Sequence, residues 1–268
     1  MKSDLLYPEN EPECIQLSSF LKSTQYIKDY MKTQNVLFLG CCKNVSEYIP
    51  TLLRHIDNCG NKFNSFKVLL YESNSTDNTR QVLLDNKKNN YMYLFDDYKF
   101  NNTDNINKYN IRSLYLERGR NILLNEAKKI NTDNNNIYQY LIILDTDGVN
   151  INGTFVDSIE TCFYYDNWDV LFCNQKNDYY DLWALRKKKD CEYDIWKFFY
   201  TDIPCLKYEP GYLLEVDSAF GGIAIYRFSD ILKHCYYGYG YNTCEHVHFN
   251  KSIKKKGGKL YINTSFYN

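Results

Sequence analysis

The apolar positions fall into two periods. Val36-Leu37-Phe38-Leu39 is a short continuous run closed by Gly40, and residues 66–71, 91–95, 140–144 and 168–173 carry similar runs. Continuous apolar runs of this length predict buried strands. Between them the spacing changes. Ile49, Leu52, Leu53 and Ile56 recur at helical intervals within 45–56, and Val82 and Leu83 follow Thr76 and Asp77, either of which can cap a helix. Further helices are predicted around 18–32, over 119–130 and over 244–256, with a last short strand at 259–262. Residues 96–111 and 131–136 are polar and Asn-rich, which predicts surface loops. Residues 217–227 read as a turn entering a strand, while from 179 to 241 aromatics, lysines and loop residues otherwise interleave without a clear element. No internal repeat is present.

Strands alternating with helices predict an α/β fold, Rossmann-like, with a mixed, mainly parallel central sheet flanked by helices. The crossovers should be right-handed. In such sheets ligands bind beyond the carboxyl ends of the strands, so those ends are where chemistry is sought.

The length, 268 residues, suits one such domain behind a short N-terminal extension, residues 1–34. Lys and Arg number 32 against 33 Asp and Glu, a balance that excludes a dedicated nucleic-acid binder. No apolar run approaches the ~20 residues of a bilayer span. The first fourteen residues have no apolar core of a signal peptide, so a soluble cytoplasmic protein is expected. The ten cysteines then belong to reduced thiols, and without paired CxxC motifs they form no zinc ribbon. The sequons at Asn44, Asn74 and Asn152 are chance products of Asn-rich composition. The 27 tyrosines and 3 tryptophans suit carbohydrate faces and interfaces alike.

Five segments carry candidate chemistry. Leu144-Asp145-Thr146-Asp147-Gly148 sets two carboxylates at the mouth of an apolar strand, where a hard divalent cation and a diphosphate could meet; a polar strand end is the plain alternative. Glu72 ends the second strand ahead of Ser75-Thr76-Asp77-Asn78-Thr79, where it could accept hydrogen bonds from a ribose or base. Arg118-Gly119-Arg120-Asn121 opens the helix before the acidic strand, and both Arg120 and a helix N-terminus favour phosphate. Cys244-Glu245-His246-Val247-His248 offers a base or a metal ligand, but two histidines two apart do not share a helix face, so one at most points at the acidic pair. The segment from Asp178 to Arg186 mixes aromatics with acids, as a sugar site would, although Trp183 and Leu185 could equally be core.

Taken in order, these pieces resemble glycosyltransferases of the GT-A fold, over about residues 35–265. The resemblance rests on Gly40-Cys41-Cys42-Lys43-Asn44, Glu72 with its Ser/Thr loop, Gly119-Arg120-Asn121 with Ala127, the Asp145-Thr146-Asp147 DxD motif, Gly221-Gly222, and Cys244-Glu245-His246. Residues 180–186 and 220–226 look most like the capsule-associated mannosyltransferase-type proteins of fungi and related enzymes of large DNA viruses.

The resemblance implies one domain over 35–268, with a nucleotide-binding half at about 35–150 and an acceptor half at about 151–268. It implies Mn²⁺ or Mg²⁺ on Asp147, with Asp145 binding through water or contacting the ribose. Lys43, Glu72, Arg120 and Asn121 would line the nucleotide pocket, Gly221 and Gly222 would approach the donor sugar, and Asp181, Trp183 and Asp217 would face donor or acceptor. The donor would be a UDP-sugar, or secondly GDP-mannose, and the acceptor a glycan or glycoprotein. Two departures stand out: His246 replaces the Asp of the usual late Glu-Asp motif, and no His follows His248. His246 could then complete the metal shell, leaving Glu245 or Asp217 as base, or the enzyme could be retaining and need no protein base.

Two rival readings remain. Residues 141–149 also fit the first motif of haloacid-dehalogenase-type phosphatases, with Asp145 as nucleophile. The chain could also be a catalytically inactive, glycosyltransferase-like binding module.

Overall fold

A computed structural model describes residues 14–16, 22–100, 108–135, 137–175, 179, 181–186, 210–229, 232, 234–238 and 243–268. Most of the 1–34 extension, part of the 96–111 loop, and Asp178 and Tyr180 of the aromatic–acidic segment lie outside the described residues.

The described strands are β1 (Cys14–Gln16), β2 (Asn35–Cys42), β3 (Ser65–Ser73), β4 (Tyr91–Asp96), β5 (Tyr140–Leu144), β6 (Val170–Asn174), β7 (Tyr212–Glu215), β8 (Ile223–Arg227) and β9 (Leu260–Tyr267). They form one mixed sheet in the order β1-β7-β9-β6-β8-β5-β2-β3-β4. Strands β5, β2, β3 and β4 run parallel, as do β6 and β9. β8 enters antiparallel between β5 and β6, and β7 lies antiparallel to both β9 and β1. The alternating pattern therefore produces the expected α/β sheet.

Helices cover both faces. On one lie α1 (Thr24–Met31), α2 (Ile49–Gly60), α3 (Thr79–Asp85) and α5 (Thr154–Ser158), packed on Val36, Phe38, Ile142 and Leu144. On the other, α4 (Lys108–Asp133) and α6 (Glu245–Lys255) pack on Leu37, Leu39, Leu141 and Ile143. Successive residues of one strand thus enter opposite cores. That is why β2 and β5 are apolar at every position rather than at alternate ones.

Several boundaries differ from the sequence expectations. α1 starts at Thr24 because Ser23 Oγ accepts the Tyr26 N–H at 3.1 Å. α2 starts at Ile49, with Pro50 in the first turn, where its missing N–H costs nothing. The largest correction concerns α4, which begins at Lys108, not Gly119. Arg118–Asn121 therefore lie in mid-helix, where backbone N–H groups bond within the helix. The N-terminal dipole argument for phosphate does not apply there. The short strands β1 and β7 escaped the pattern altogether.

Gly119 is required by the approach of α4 to the sheet. A Cβ there would stand 2.7 Å from the Tyr71 ring and 3.1 Å from Cys41 Sγ. The ring is 4% exposed and its hydroxyl donates to Asp96 at 2.8 Å, so it has no room to yield. Helix propensity favours Ala over Gly by about 1 kcal/mol, whereas overpacking costs about 1–3 kcal/mol. Gly119→Ala is expected to lower stability in urea by about 1–2 kcal/mol; an unchanged or raised midpoint would mean that α4 can move off the sheet.

Candidate active site

The carboxyl ends of β2, β3 and β5 lie together, since Cys41 pairs with Tyr71, Cys42 with Glu72, and Leu39 with Ile143. Beyond them are two adjoining cavities. One, of about 450 Å³, is lined by Lys43, Tyr71, Ser73, Tyr115 and Thr146 among others. The other, of about 400 Å³, is lined by Tyr48, Trp183, Asp181, Phe220, Glu245 and His246 among others. Arg112, Leu116, Asp145 and Asp147 line both, so the acidic pair stands where the cavities meet.

Backbone bonds fix the acidic pair. Asp145 N donates to Gly222 O at 2.8 Å, and Asn150 Nδ2 donates to both Asp145 O (2.8 Å) and Gly222 O (2.9 Å). Thr146 Oγ1 donates to Cys41 O at 2.7 Å, tying the end of β5 to the end of β2. Asp147 Oδ1 accepts from Val149 N at 3.3 Å, capping a short 3₁₀ turn over Gly148–Asn150. The Asp147 side chain is otherwise exposed.

Arg120 is the electrostatic centre. Its side chain is 4% exposed; Nη2 donates to Asp145 Oδ1 at 2.9 Å and Nε to Glu245 Oε1 at 3.0 Å. Its plane lies 5.2 Å from the Phe220 ring centroid and 5.8 Å from that of Tyr237. Burial opposes its charge, but Glu245 and Asp145 outweigh burial and raise its pKa well above the ordinary value. Burial pushes the Asp145 carboxyl up to about 6 against the pull of Arg120, and Asp147 adds to the rise. Burial also raises Asp181, although the Gly221 N–H opposes it by donating to Asp181 Oδ2 at 2.9 Å.

His246 is buried in the same wall. Its ring stacks on Phe220 with centroids 3.7 Å apart and meets the edge of Tyr237 at 5.5 Å. Among the described residues neither ring nitrogen has a hydrogen-bond partner, and Glu245 Oε1 lies 3.6 Å from Nε2. Burial, then Arg120 and Arg112, push its pKa well below the ordinary histidine value, so the ring is neutral at pH 7. His248, two residues on, is exposed, as the face argument required.

The structure thus gathers Arg120, Asp145, Asp147, Asp181, Trp183, Glu245 and His246 on one cavity, with Lys43 on its neighbour. Five expected residues line neither cavity. Glu72 is wholly buried, and its oxygens accept from Ser75 N (2.9 Å) and Arg80 Nε (2.5 Å), so it organises its own loop. Asn121 clamps the backbone of Tyr237 through bonds of 3.0 and 2.9 Å. Asp217 lies 4.0 Å from Lys254 Nζ. Gly221 and Gly222, at φ +74° and +96°, form a buried turn whose carbonyls hold Gln175, Asn268, Asp145 and Asn150. The turn positions the acidic strand rather than opening backbone to a ligand.

Glu245 is ion-paired: Arg120 Nε donates to Oε1 at 3.0 Å and Cys244 Sγ to Oε2 at 3.5 Å. Among the described residues no three His, Cys, Asp or Glu side chains are grouped to hold a metal ion. His246 therefore does not complete a preformed shell with Asp145 and Asp147; its ring is held by Phe220 and Tyr237 instead. The donor set does fit a cation held jointly with a ligand. Asp145 and Asp147 each keep one oxygen without a partner among the described residues, and hard cations bind by one or two carboxylates plus phosphate oxygens.

The sequence reading missed Arg112, Tyr115 and Leu116 because they fall between the loop expected over 96–111 and the helix expected from Gly119. A signal was present: Ile111, Tyr115, Gly119, Leu123 and Ala127 repeat every four residues.

Arg120 should dominate stability as well as geometry. Removing one member of a buried ion network leaves uncompensated charge and costs about 3–5 kcal/mol. Arg120→Met is expected to lose that much in urea unfolding, and Arg120→Lys most of it, because an ammonium does not reproduce the planar fork to two carboxylates. A loss near zero for Arg120→Met would reject the bridge.

No protein-family model matches the sequence, and no curated protein matches it. Solved structures do. Residues 1–349 of S. aureus TarS superpose with a TM-score of 0.45 at 16% identity, covering 85% of this chain and 58% of that one. The mannosyltransferase PcManGT of Pyrobaculum calidifontis, in complex with GDP-Man and Mn²⁺, gives 0.48 at 13% identity, covering 87% and 55%. Glucosyl-3-phosphoglycerate synthase of Mycobacterium tuberculosis, with Mn²⁺, UDP and phosphoglyceric acid, gives 0.38 at 11% identity, covering 57% and 48%. The chain spans about half the length of these proteins.

Proposed function

We propose that the protein is a metal-dependent glycosyltransferase of the GT-A type, moving a sugar from a nucleoside-diphosphate donor to a hydroxyl of a glycan or protein-linked acceptor. The observation that carries this reading is the placement of Asp145 and Asp147 where two cavities meet. A nucleoside-diphosphate sugar has the same plan: a nucleoside, a sugar and a charged link between them.

In this reading the nucleoside occupies the Lys43–Tyr115 cavity and the sugar faces Trp183 and Asp181. Residues 35–150 form the nucleotide half and 151–268 the acceptor half of one domain. The donor is a UDP-sugar, with GDP-mannose second. The narrower likeness to capsule-associated mannosyltransferase-type proteins rests on residues 180–186 and 220–226 alone. Among the described residues, no helix is long and apolar enough to cross a membrane.

Asp145 and Asp147 would hold Mn²⁺ or Mg²⁺, which supplies positive charge for the diphosphate. The cleft supports this need, because four carboxylates (Asp145, Asp147, Asp181, Glu245) line it against two guanidiniums (Arg112, Arg120). The acceptor oxygen bonds to the anomeric carbon as the bond from that carbon to the diphosphate oxygen breaks. The electron pair leaves with the diphosphate, and the hydroxyl proton passes to a ring nitrogen of His246. His246 suits this role because it is neutral, buried in the cleft and unpartnered at both nitrogens. Glu245 and Asp217 do not: one is ion-paired, and the other lies outside the cleft.

Two measurements test the reading. A thermal-shift screen of UDP, GDP and their sugars should give a rise in melting temperature that requires Mn²⁺ and disappears in Asp147→Ala, itself folded because the side chain is exposed. Absence of any nucleotide-dependent shift would reject the function. His246→Ala should slow transfer by about 10²–10⁴-fold while leaving donor affinity intact; loss of Mn²⁺ affinity instead would make His246 a ligand.

A further inference from the structure

Arg112 belongs to none of the sequence motifs. It lies in the second turn of α4 and lines both cavities. Its side chain is exposed, and among the described residues it forms no hydrogen bond or ion pair. Of the other cations of the site, Arg120 is bonded to Asp145 and Glu245, and Lys43 lines one cavity only, 5.3 Å from the Tyr115 ring centroid. We infer that Arg112 is the diphosphate-binding residue of the cleft, its guanidinium engaging phosphate oxygens where the cavities meet.

This inference rests on the nucleoside-diphosphate reading above and adds the residue that selects for the phosphates. Three physical points carry it. The link between nucleoside and sugar must cross the junction, and the side chains there are two carboxylates, Leu116 and Arg112. Carboxylates repel phosphate and leucine offers it nothing, so Arg112 is the favourable side chain. A guanidinium presents paired N–H donors that match two phosphate oxygens, and it stays charged at any working pH. Finally, a residue without partners can turn to a ligand without breaking an existing bond, which Arg120 cannot do.

The test uses the whole chain with Mn²⁺ present. UDP and GDP affinities are measured by titration calorimetry for wild type, Arg112→Ala and Arg112→Lys, and uridine and guanosine binding is measured by ligand-observed NMR. Arg112→Ala is expected to melt as wild type does, since no contact is lost. For whichever nucleoside diphosphate binds, affinity should fall by about 10- to 100-fold, the range of hydrogen bonds to charged groups, while nucleoside binding holds. Arg112→Lys should recover only part, because an ammonium restores charge but not the paired donors. Unchanged diphosphate affinity in Arg112→Ala overturns the inference and leaves the glycosyltransferase reading standing. Equal losses for nucleoside and nucleoside diphosphate overturn it too, by placing Arg112 in the nucleoside wall. Failure of wild type to bind UDP or GDP overturns both.

Discussion

The Arg120 bridge is the constraint from which the cleft follows. One guanidinium, nearly without solvent, joins α4 to the end of β5 through Asp145 and to the start of α6 through Glu245. These three segments lie far apart in sequence, and none contacts another by chain continuity. The ring contacts follow the same centre: Phe220 and Tyr237 both approach Arg120, and both hold His246. The net gain of a buried ion network is small because desolvation opposes it, but removing one member strands the others, so the network holds these three segments in one arrangement. Here the arrangement defined is the wall carrying the neutral imidazole.

A second layer of order comes from sheet topology. Placing β8 antiparallel beside β5 brings the Gly221-Gly222 turn against the first residue after the acidic strand. Gly222 O then receives Asp145 N, and the same turn gives its Gly221 N–H to Asp181. Two candidate carboxylates from different segments of the chain are thereby located by one buried turn. A Cβ on Gly221 would meet Gln175 Nε2 at 2.7 Å and Cys173 Sγ at 2.9 Å, at a φ of +74°. The glycines serve geometry inside the fold, which the sequence alone could not separate from a role facing a sugar.

The sheet was legible because both its faces are covered. Continuous apolar runs at β2, β3 and β5 stand out from any helical period, and β5 was placed to the residue. Edge strands were not legible: β1 and β7 are short, and their pairing depends on long-range partners. α4 failed for a compositional reason, since its first turns are rich in polar residues and its apolar stripe is narrow. Residue type and position in the elements led to Asp145, Asp147, Arg120 and His246, which the structure brings to one cavity; Glu72, Asn121 and Asp217, expected beside them, turn their side chains to local partners instead. Which way a side chain turns at a strand end depends on what it can bond nearby. Arg80 takes up the Glu72 carboxylate, and Lys254 lies beside Asp217.

The charge pattern of the cleft has a consequence of its own. Four carboxylates share one space with two guanidiniums, and burial already raises Asp145 and Asp181. Arg120 offsets part of this charge at Asp145 and Glu245, and the Gly221 N–H part at Asp181, but four carboxylates against two guanidiniums leave the cleft with an excess of negative charge. A fold that served stability alone would have replaced some of these acids with apolar or neutral groups. The excess has the sign that the cation of the proposed function would offset, and that cation would bring the donor's phosphates with it. The ligand would then complete a charge balance that the chain leaves open, and binding free energy would come from relieving repulsion as well as from new contacts. His246, neutral and without a hydrogen-bond partner among the described residues, lies in the same wall as these acids.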